Sequence, residues 1–282
     1  MFFRARTLTL TSIAMVAFAG NSLLCRLALR HTTIDPATFT CIRVLSGAIA
    51  LWLIVKMGSG SRLQGGSWPS ACALFAYAAA FSFAYVDLSA GMGALLLFGA
   101  VQATMILVGH LKGERLNAWQ SIGLVTALGG LVALLLPGLS APPLASALLM
   151  VCSGVAWGVY SLRGKGAGDP LAATTGNFLR AVPFAVVSSL VLLSRARVDA
   201  QGIAYAIASG ALTSGVGYAI WYAALRELSA TNAATVQLSV PVLAAIGGIV
   251  LLGEPISLRL FIASIAVLGG IALVVDRPKS GA

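Results

Sequence analysis

The sequence predicts an all-α integral membrane fold: ten transmembrane helices arranged as two inverted five-helix repeats around a central cavity. Three observations predict it. Of 282 residues, 59% are apolar and only 9% are charged, against roughly 45–50% and about 25% in a soluble domain. So few charges cannot clothe a water-soluble surface of this length. That excludes a soluble enzyme, a nucleic-acid module and a disordered chain. The uncharged runs each approach the roughly 20 residues that a membrane helix needs. Finally, the chain matches itself at a shift of 140 residues.

The spans follow in order. Residues 7–25 form the first. Arg4 and Arg6 precede it and Ala17-Phe18-Ala19 ends it in a signal-cleavage pattern, but the repeat requires that this helix be kept. Residues 36–55 form the second, interrupted by Arg43; 68–86 form the third and 90–111 the fourth. The uncharged stretch 116–162 is too long for one helix, and Pro137-Gly138 and Pro142-Pro143 divide it into the fifth and sixth. The remaining four run over 171–193, 202–224, 230–252 and 257–275. Helices are required because lipid offers the backbone no hydrogen bonds. The alternating ten-residue segments of a membrane barrel do not occur.

Ten spans place both termini on one side. That side carries Arg4, Arg6, Lys56, Arg62, Lys112, Arg115, Arg163, Lys165, Arg226, Arg277 and Lys279. The other carries Arg26, Arg30, Arg195, Arg197 and Arg259. The positive-inside rule then puts both termini in the cytoplasm, with the chain multi-pass in the inner (plasma) membrane. The net charge of +10 belongs to these short loops and is not a nucleic-acid footprint. Cys25, Cys41, Cys72 and Cys152 form no CxxC or Cys/His cluster and read as buried free thiols, with no metal site and no cofactor.

Residues 71–135 align without a gap on 211–275. Leu88-Ser89-Ala90 matches Leu228-Ser229-Ala230, Gly113-Glu114 matches Gly253-Glu254, and Leu128-Gly129-Gly130 matches Leu268-Gly269-Gly270. Asp35-Pro36 and Asp169-Pro170 open the second helix of each half. The units are 1–137 and 138–282. Five helices are an odd number, so the second unit enters the membrane from the opposite side. Inverted repeats of this kind build secondary transporters, with the substrate site near the midplane between the halves. A membrane enzyme would need a catalytic constellation. This chain has two histidines, His31 and His110, both near span ends, and no carboxylate pair within a span.

Two five-helix halves, each with Gly-Glu, a turn and a last helix carrying Gly-Gly, resemble the ten-helix EamA branch of the drug/metabolite transporter superfamily over about residues 8–275. Phe18-Ala19-Gly20-Asn21 is similar to that family's Trp-Gly-Ser-Asn stretch, with Phe18 for Trp and Ala19 for Gly; Trp157-Gly158 is its counterpart in the second half. Arg43 stands where the family often has an arginine in its second helix. The resemblance implies an exporter of amino acids or similar small metabolites. Neutral, aromatic and large apolar amino acids are included. The alternatives of the same fold are a multidrug or nucleobase/vitamin exporter; a channel is the alternative of another class.

An amino-acid path needs room, partners for the charged groups and a tolerant apolar wall. Tyr77, Phe81 and Tyr85 recur at helical spacing on the third helix, with Ser82 beside them. Trp221 matches Phe81 in the repeat and is flanked by Tyr218 and Tyr222; Trp157 and Tyr160 lie one turn apart on the sixth helix. Each can equally serve helix packing. Polar side chains within spans are costly and face protein or a water-filled path; here they are Asn21, Gln102, Asn177, Asn232 and Gln237. Pro241 breaks the ninth helix one turn beyond Gln237, where the first half has Val101. The candidate cavity is thus Asn21, Tyr77, Phe81, Ser82, Gln102, Trp157, Tyr160, Tyr218, Trp221 and Gln237. Arg43 and Arg180 are candidate carboxylate partners, or structural donors to helix-end carbonyls. The glycine pairs and Gly154-x-x-x-Gly158 mark close helix contacts and are compatible with a homodimer. All eight acids lie in loops or at span ends, which points away from obligatory proton coupling. The expected partners are therefore a small-molecule substrate and the lipid bilayer.

Overall fold

The structure is a computed structural model. It describes residues 5–58, 65–111, 113, 117–136, 141–164, 169–225, 227–228, 233, 236–255 and 257–275. Several residues used above lie outside these: the Pro137-Gly138 break, Glu114, Asn232, and the loop cations Arg4, Arg62, Lys112, Arg115, Lys165, Arg226, Arg277 and Lys279. Among the described residues the fold is ten helices with no strand. They are α1 (Ala5–His31), α2 (Pro36–Met57), α3 (Trp68–Ala84), α4 (Ala90–Leu111) and α5 (Ala118–Leu135). The second half supplies α6 (Leu144–Gly164), α7 (Pro170–Val191), α8 (Ala200–Leu225), α9 (Ser239–Leu252) and α10 (Leu258–Val275). Six of the ten, α1, α2, α4, α5, α6 and α8, are long and apolar enough to cross a membrane on length and composition alone. The chain is an all-α, multi-pass membrane protein.

Local chemistry sets the helix starts. Asp35 caps α2 by accepting from the Ala37 and Thr38 N–H groups at 2.9 and 3.0 Å, and Pro36 fills the first position, where no N–H is needed. Asp169-Pro170 repeats the device at α7. Asn117 and Gln120 form a reciprocal capping box at α5. α9 is described over Ser239–Leu252, with Ala233, Val236 and Gln237 ahead of it also helical. It ends on Gly253 at φ 64°, a left-handed cap that glycine adopts without strain.

α8 holds a feature the sequence did not announce: Ala208–Val216 is a nine-residue π-helix between two α segments. Gly210 lies against the Arg43 carbonyl and the Ser46 side chain, leaving no room there for a Cβ. Such wide turns are frequent at functional sites.

The packing follows the repeat. α2 packs on α7 and α5 on α10; α4 on α6 corresponds to α9 on α1, and α3 on α6 to α8 on α1. Glycines permit the closest approaches. A Cβ on Gly154 would sit 2.6 Å from both the Ala100 Cβ and the Leu97 carbonyl oxygen, and one on Gly270 2.5 Å from the Gly123 oxygen. Each glycine pair is split: Gly130 and Gly270 pack, whereas Gly129 and Gly269 have nothing within 4 Å. The symmetry is imperfect. α9 and α10 flank an apolar cleft of about 430 Å³ lined by Val242, Ile246, Phe261 and Ile265. All four cysteines are free, but Cys72 and Cys152 are exposed rather than buried.

Candidate functional site

The candidate site lies where α1, α3, α4, α6 and α8 meet. Phe18, Asn21 and Ser22 of α1, Tyr77 and Phe81 of α3, Leu97 and Phe98 of α4, Trp157 of α6, and Thr213 and Tyr218 of α8 line one small cavity. Its aromatic rings form a continuous file. Tyr85 meets Phe81 edge-on at 4.7 Å, Phe81 meets Tyr77 at 5.5 Å, and Tyr77 meets Trp157 at 4.7 Å. Trp157 meets Tyr218 at 5.2 Å, Tyr218 meets Phe18 at 5.7 Å, and Phe18 meets Trp221 at 5.8 Å. These are the separations at which aromatic pairs attract, at about 0.5–1.5 kcal/mol each beyond area burial.

Polar groups thread between the rings. Asn21 accepts from the Ser209 hydroxyl at 2.7 Å and donates to the Tyr77 hydroxyl at 3.3 Å. Thr213 donates to the Ser209 carbonyl at 2.7 Å, one turn back along the π segment. Arg43 donates through Nη2 to the same Tyr77 hydroxyl at 2.9 Å, and its guanidinium lies 4.8 Å from the Phe81 ring centre and 5.3 Å from that of Tyr77. Arg43 is only 2% exposed, and its Nη1 has no hydrogen-bond partner. A buried, unpaired charge costs several kcal/mol, and ring faces return only part of that.

The space left between these groups is about 20 Å³, room for about one water. Ligand pockets run to roughly 300–1,000 Å³, so the conformation described is closed. Both ends of the bundle are tied. At the end opposite the chain termini, Arg26 Nε donates to Glu254 at 3.0 Å and Arg26 Nη1 to the Tyr85 and Val86 carbonyls at 3.0 and 2.8 Å. Glu254 in turn accepts from the Ala90 N–H at 2.8 Å. One ion pair thereby joins α1, the end of α3, the start of α4 and the end of α9. Nearby, Ser146 bonds to Asp87, and Asp199 accepts from the Thr33 N–H at 2.9 Å. At the terminal end, Thr7 bonds to Glu227, and Arg163 donates to the Ser70 hydroxyl at 3.1 Å.

Of the sequence candidates, Asn21, Tyr77, Phe81, Trp157 and Tyr218 line the cavity. Trp221 stands one ring behind it, against Phe18. Tyr160 stacks on Trp157 at 5.3 Å and bonds toward Thr174 and Asn177 on α7. Ser82 is buried but donates to the Ala78 carbonyl of its own helix. Gln102 of α4 and Gln237 ahead of α9 lie outside the lining. The two arginines separate. Arg180 donates through Nη1 to the Gly65 and Gly176 carbonyls at 2.8 and 3.0 Å, a structural role, while Arg43 adjoins the cavity-lining rings. Phe18, Ser22, Leu97, Phe98 and Thr213 were not among the candidates. Phe18 matches Trp157 in the repeat as Phe81 matches Trp221, a pairing that suggests symmetric gates. Ser209 and Thr213, four residues apart on one span, could have flagged α8.

Residues 144–276, the stretch from α6 to α10, match the model of the EamA-like transporter family. Over 277 residues the chain is 58% identical to an uncharacterised protein of Pseudomonas aeruginosa, covering 98% of this chain and 96% of that one. It is 24% identical over 287 residues to an uncharacterised transporter of Archaeoglobus fulgidus, covering 95% and 97%. A crystal structure with 18% sequence identity superposes with a TM-score of 0.67, covering 98% of this chain and all of that one, and so shares its fold. The chain belongs to the EamA-like transporter family.

Proposed function

We propose that this transporter exports amino acids, neutral, aromatic and large apolar ones included, together with similar small metabolites, across the inner membrane by alternating access. The observation that carries the reading is the file of aromatic rings converging from α1, α3, α6 and α8 on one cavity with a few placed polar groups. Aromatic walls bury varied apolar side chains without directional demands, at about 25 cal/mol per Å². The closed cavity with tied ends supports a carrier cycle, in which the units 1–137 and 138–282 rock about the site and release one end at a time. Both termini face the cytoplasm in this reading, on the charge asymmetry of the loops.

Transport proceeds without obligatory proton coupling, because none of the eight acids falls within the ten helices. Accumulated cytoplasmic substrate supplies the driving force. The partners are the substrate, the bilayer and a second copy of the chain; no cofactor or catalytic residue takes part. The test is a panel of amino acids, drugs and nucleobases in proteoliposomes, with and without a pH gradient. Saturable flux of phenylalanine, leucine and tryptophan, insensitive to the gradient, supports the reading. Flux of drugs or nucleobases alone, or uphill accumulation driven by pH, overturns it.

A further inference from the structure

We infer that Arg43 is the anion anchor of the central site, so that the substrates moved through it must carry a carboxylate or an equivalent planar anionic group. The inference rests on the proposed reading of the cavity and adds the chemical requirement on its occupant.

Three facts converge on Arg43. It is buried, and Nη1 has no partner. Among the described residues no carboxylate pairs with it; the ion pair they contain is Arg26–Glu254, at one end of the bundle. And the two rings beside its guanidinium, Phe81 at 4.8 Å and Tyr77 at 5.3 Å, both line the cavity. A guanidinium presents a planar fork that a carboxylate meets with two parallel bonds. Here one arm of the fork is taken by a neutral phenol and the other by nothing.

The Tyr77 hydroxyl is the natural shutter. It accepts from both Arg43 and Asn21, and Asn21 also joins α1 to the π segment of α8 through Ser209. Separation of α1 and α8 from α3 breaks the Asn21–Tyr77 bond and leaves the Tyr77 hydroxyl held by Arg43 of α2 alone. A carboxylate then replaces the phenol on Nη2 and gives Nη1 its partner, while the substrate side chain lies against Trp157 and Tyr218. Arg180 plays no such part, since its Nη1 is held by two backbone carbonyls.

The test uses three molecules of one size: phenylalanine, 3-phenylpropionate, which lacks the ammonium, and phenethylamine, which lacks the carboxylate. Purified full-length protein in detergent is titrated with 3-phenylpropionate and with phenethylamine, and its tryptophan fluorescence is followed. In parallel, the flux of all three compounds is measured in proteoliposomes. The wild type is expected to bind 3-phenylpropionate in preference to phenethylamine. Arg43→Gln should lose that preference by about thirtyfold or more, the scale on which removal of one partner of a buried ion pair is felt. Arg43→Lys, which keeps the charge but not the fork, should retain part of it, and Arg180→Gln all of it. The ratio of the two ligands is the readout, so a general loss of folding cannot imitate the result. Equal preference in wild type and Arg43→Gln overturns the inference, as does a wild type that binds neither compound. If the Arg43-dependent preference holds but none of the three compounds is carried, the anchor stands and the amino-acid reading falls.

Discussion

Trp157 stands in the middle of the ring file and Trp221 at one end. Trp157 contacts Tyr77, Tyr160 and Tyr218 and forms the cavity wall, whereas Trp221 touches Phe18 from behind. Trp157→Ala should therefore lower phenylalanine flux about tenfold or more, since two or three ring contacts at roughly 0.5–1.5 kcal/mol are lost. Trp221→Ala should cost less, and Trp52→Ala, on an exposed ring under Lys56, should cost nothing measurable. Initial rates at matched protein content check the order; equal losses at Trp52 and Trp157 would remove the cavity assignment. The aromatic stripe of α3 was legible in the sequence because i, i+4 spacing fixes a common face. Which face looks inward was not, because every face of a membrane helix is apolar. That is why Ser82 and Gln102 looked as eligible as Asn21.

Among the helices, the spans and their starts were readable because prolines, aspartates and charges interrupt apolar runs sharply. The π segment of α8 was not, since nothing in Ala-Ser-Gly-Ala-Leu distinguishes a wide turn from an ordinary one. The glycine pairs show the same limit: sequence marks both members of each, but only Gly130 and Gly270 meet a neighbour. Gly270→Ala should lower the melting temperature in detergent, at a cost of about 1–3 kcal/mol for overpacking α10 on α5, while Gly269→Ala should leave it unchanged. A scanning measurement in which the two variants melt together would contradict that packing.

The end opposite the termini supplies a pH expectation. Burial pushes the Asp35 carboxyl up, but hydrogen bonds from Thr38, Arg197 and Ala37 together hold it below its ordinary value; Asp199 is held low chiefly by the Gly202 and Thr33 N–H groups. A carboxyl lowered in the folded state contributes stability above its unfolded pKa, near about 4, and loses it as pH falls through the folded value. Melting should be insensitive to these groups from pH 7 to about 5 and should decline below about 4. That decline should shrink in Asp35→Asn and Asp199→Asn.

For the molecule as a whole, the repeat carried the most information, because a shift of 140 residues with charged and glycine landmarks in one register predicts helix pairings no local pattern can. The closed state was beyond its reach, since a sequence compatible with two packings does not say which is occupied. In the proposed carrier cycle, opening requires the Arg26–Glu254 knot to break. In a cysteine-free background, Ser22→Cys should react faster with an impermeant thiol reagent when Arg26 is replaced by Ala, and the exchange Arg26→Glu with Glu254→Arg should restore protection. The central claim, that substrate crosses by a carrier cycle through the aromatic cavity, is tested most directly by counterflow. Proteoliposomes loaded with unlabelled phenylalanine and diluted into trace labelled phenylalanine should take up label transiently. That uptake should saturate with external substrate and fall about tenfold or more in Trp157→Ala. Uptake that is linear in concentration and indifferent to internal substrate, or no uptake above protein-free vesicles, would contradict the account.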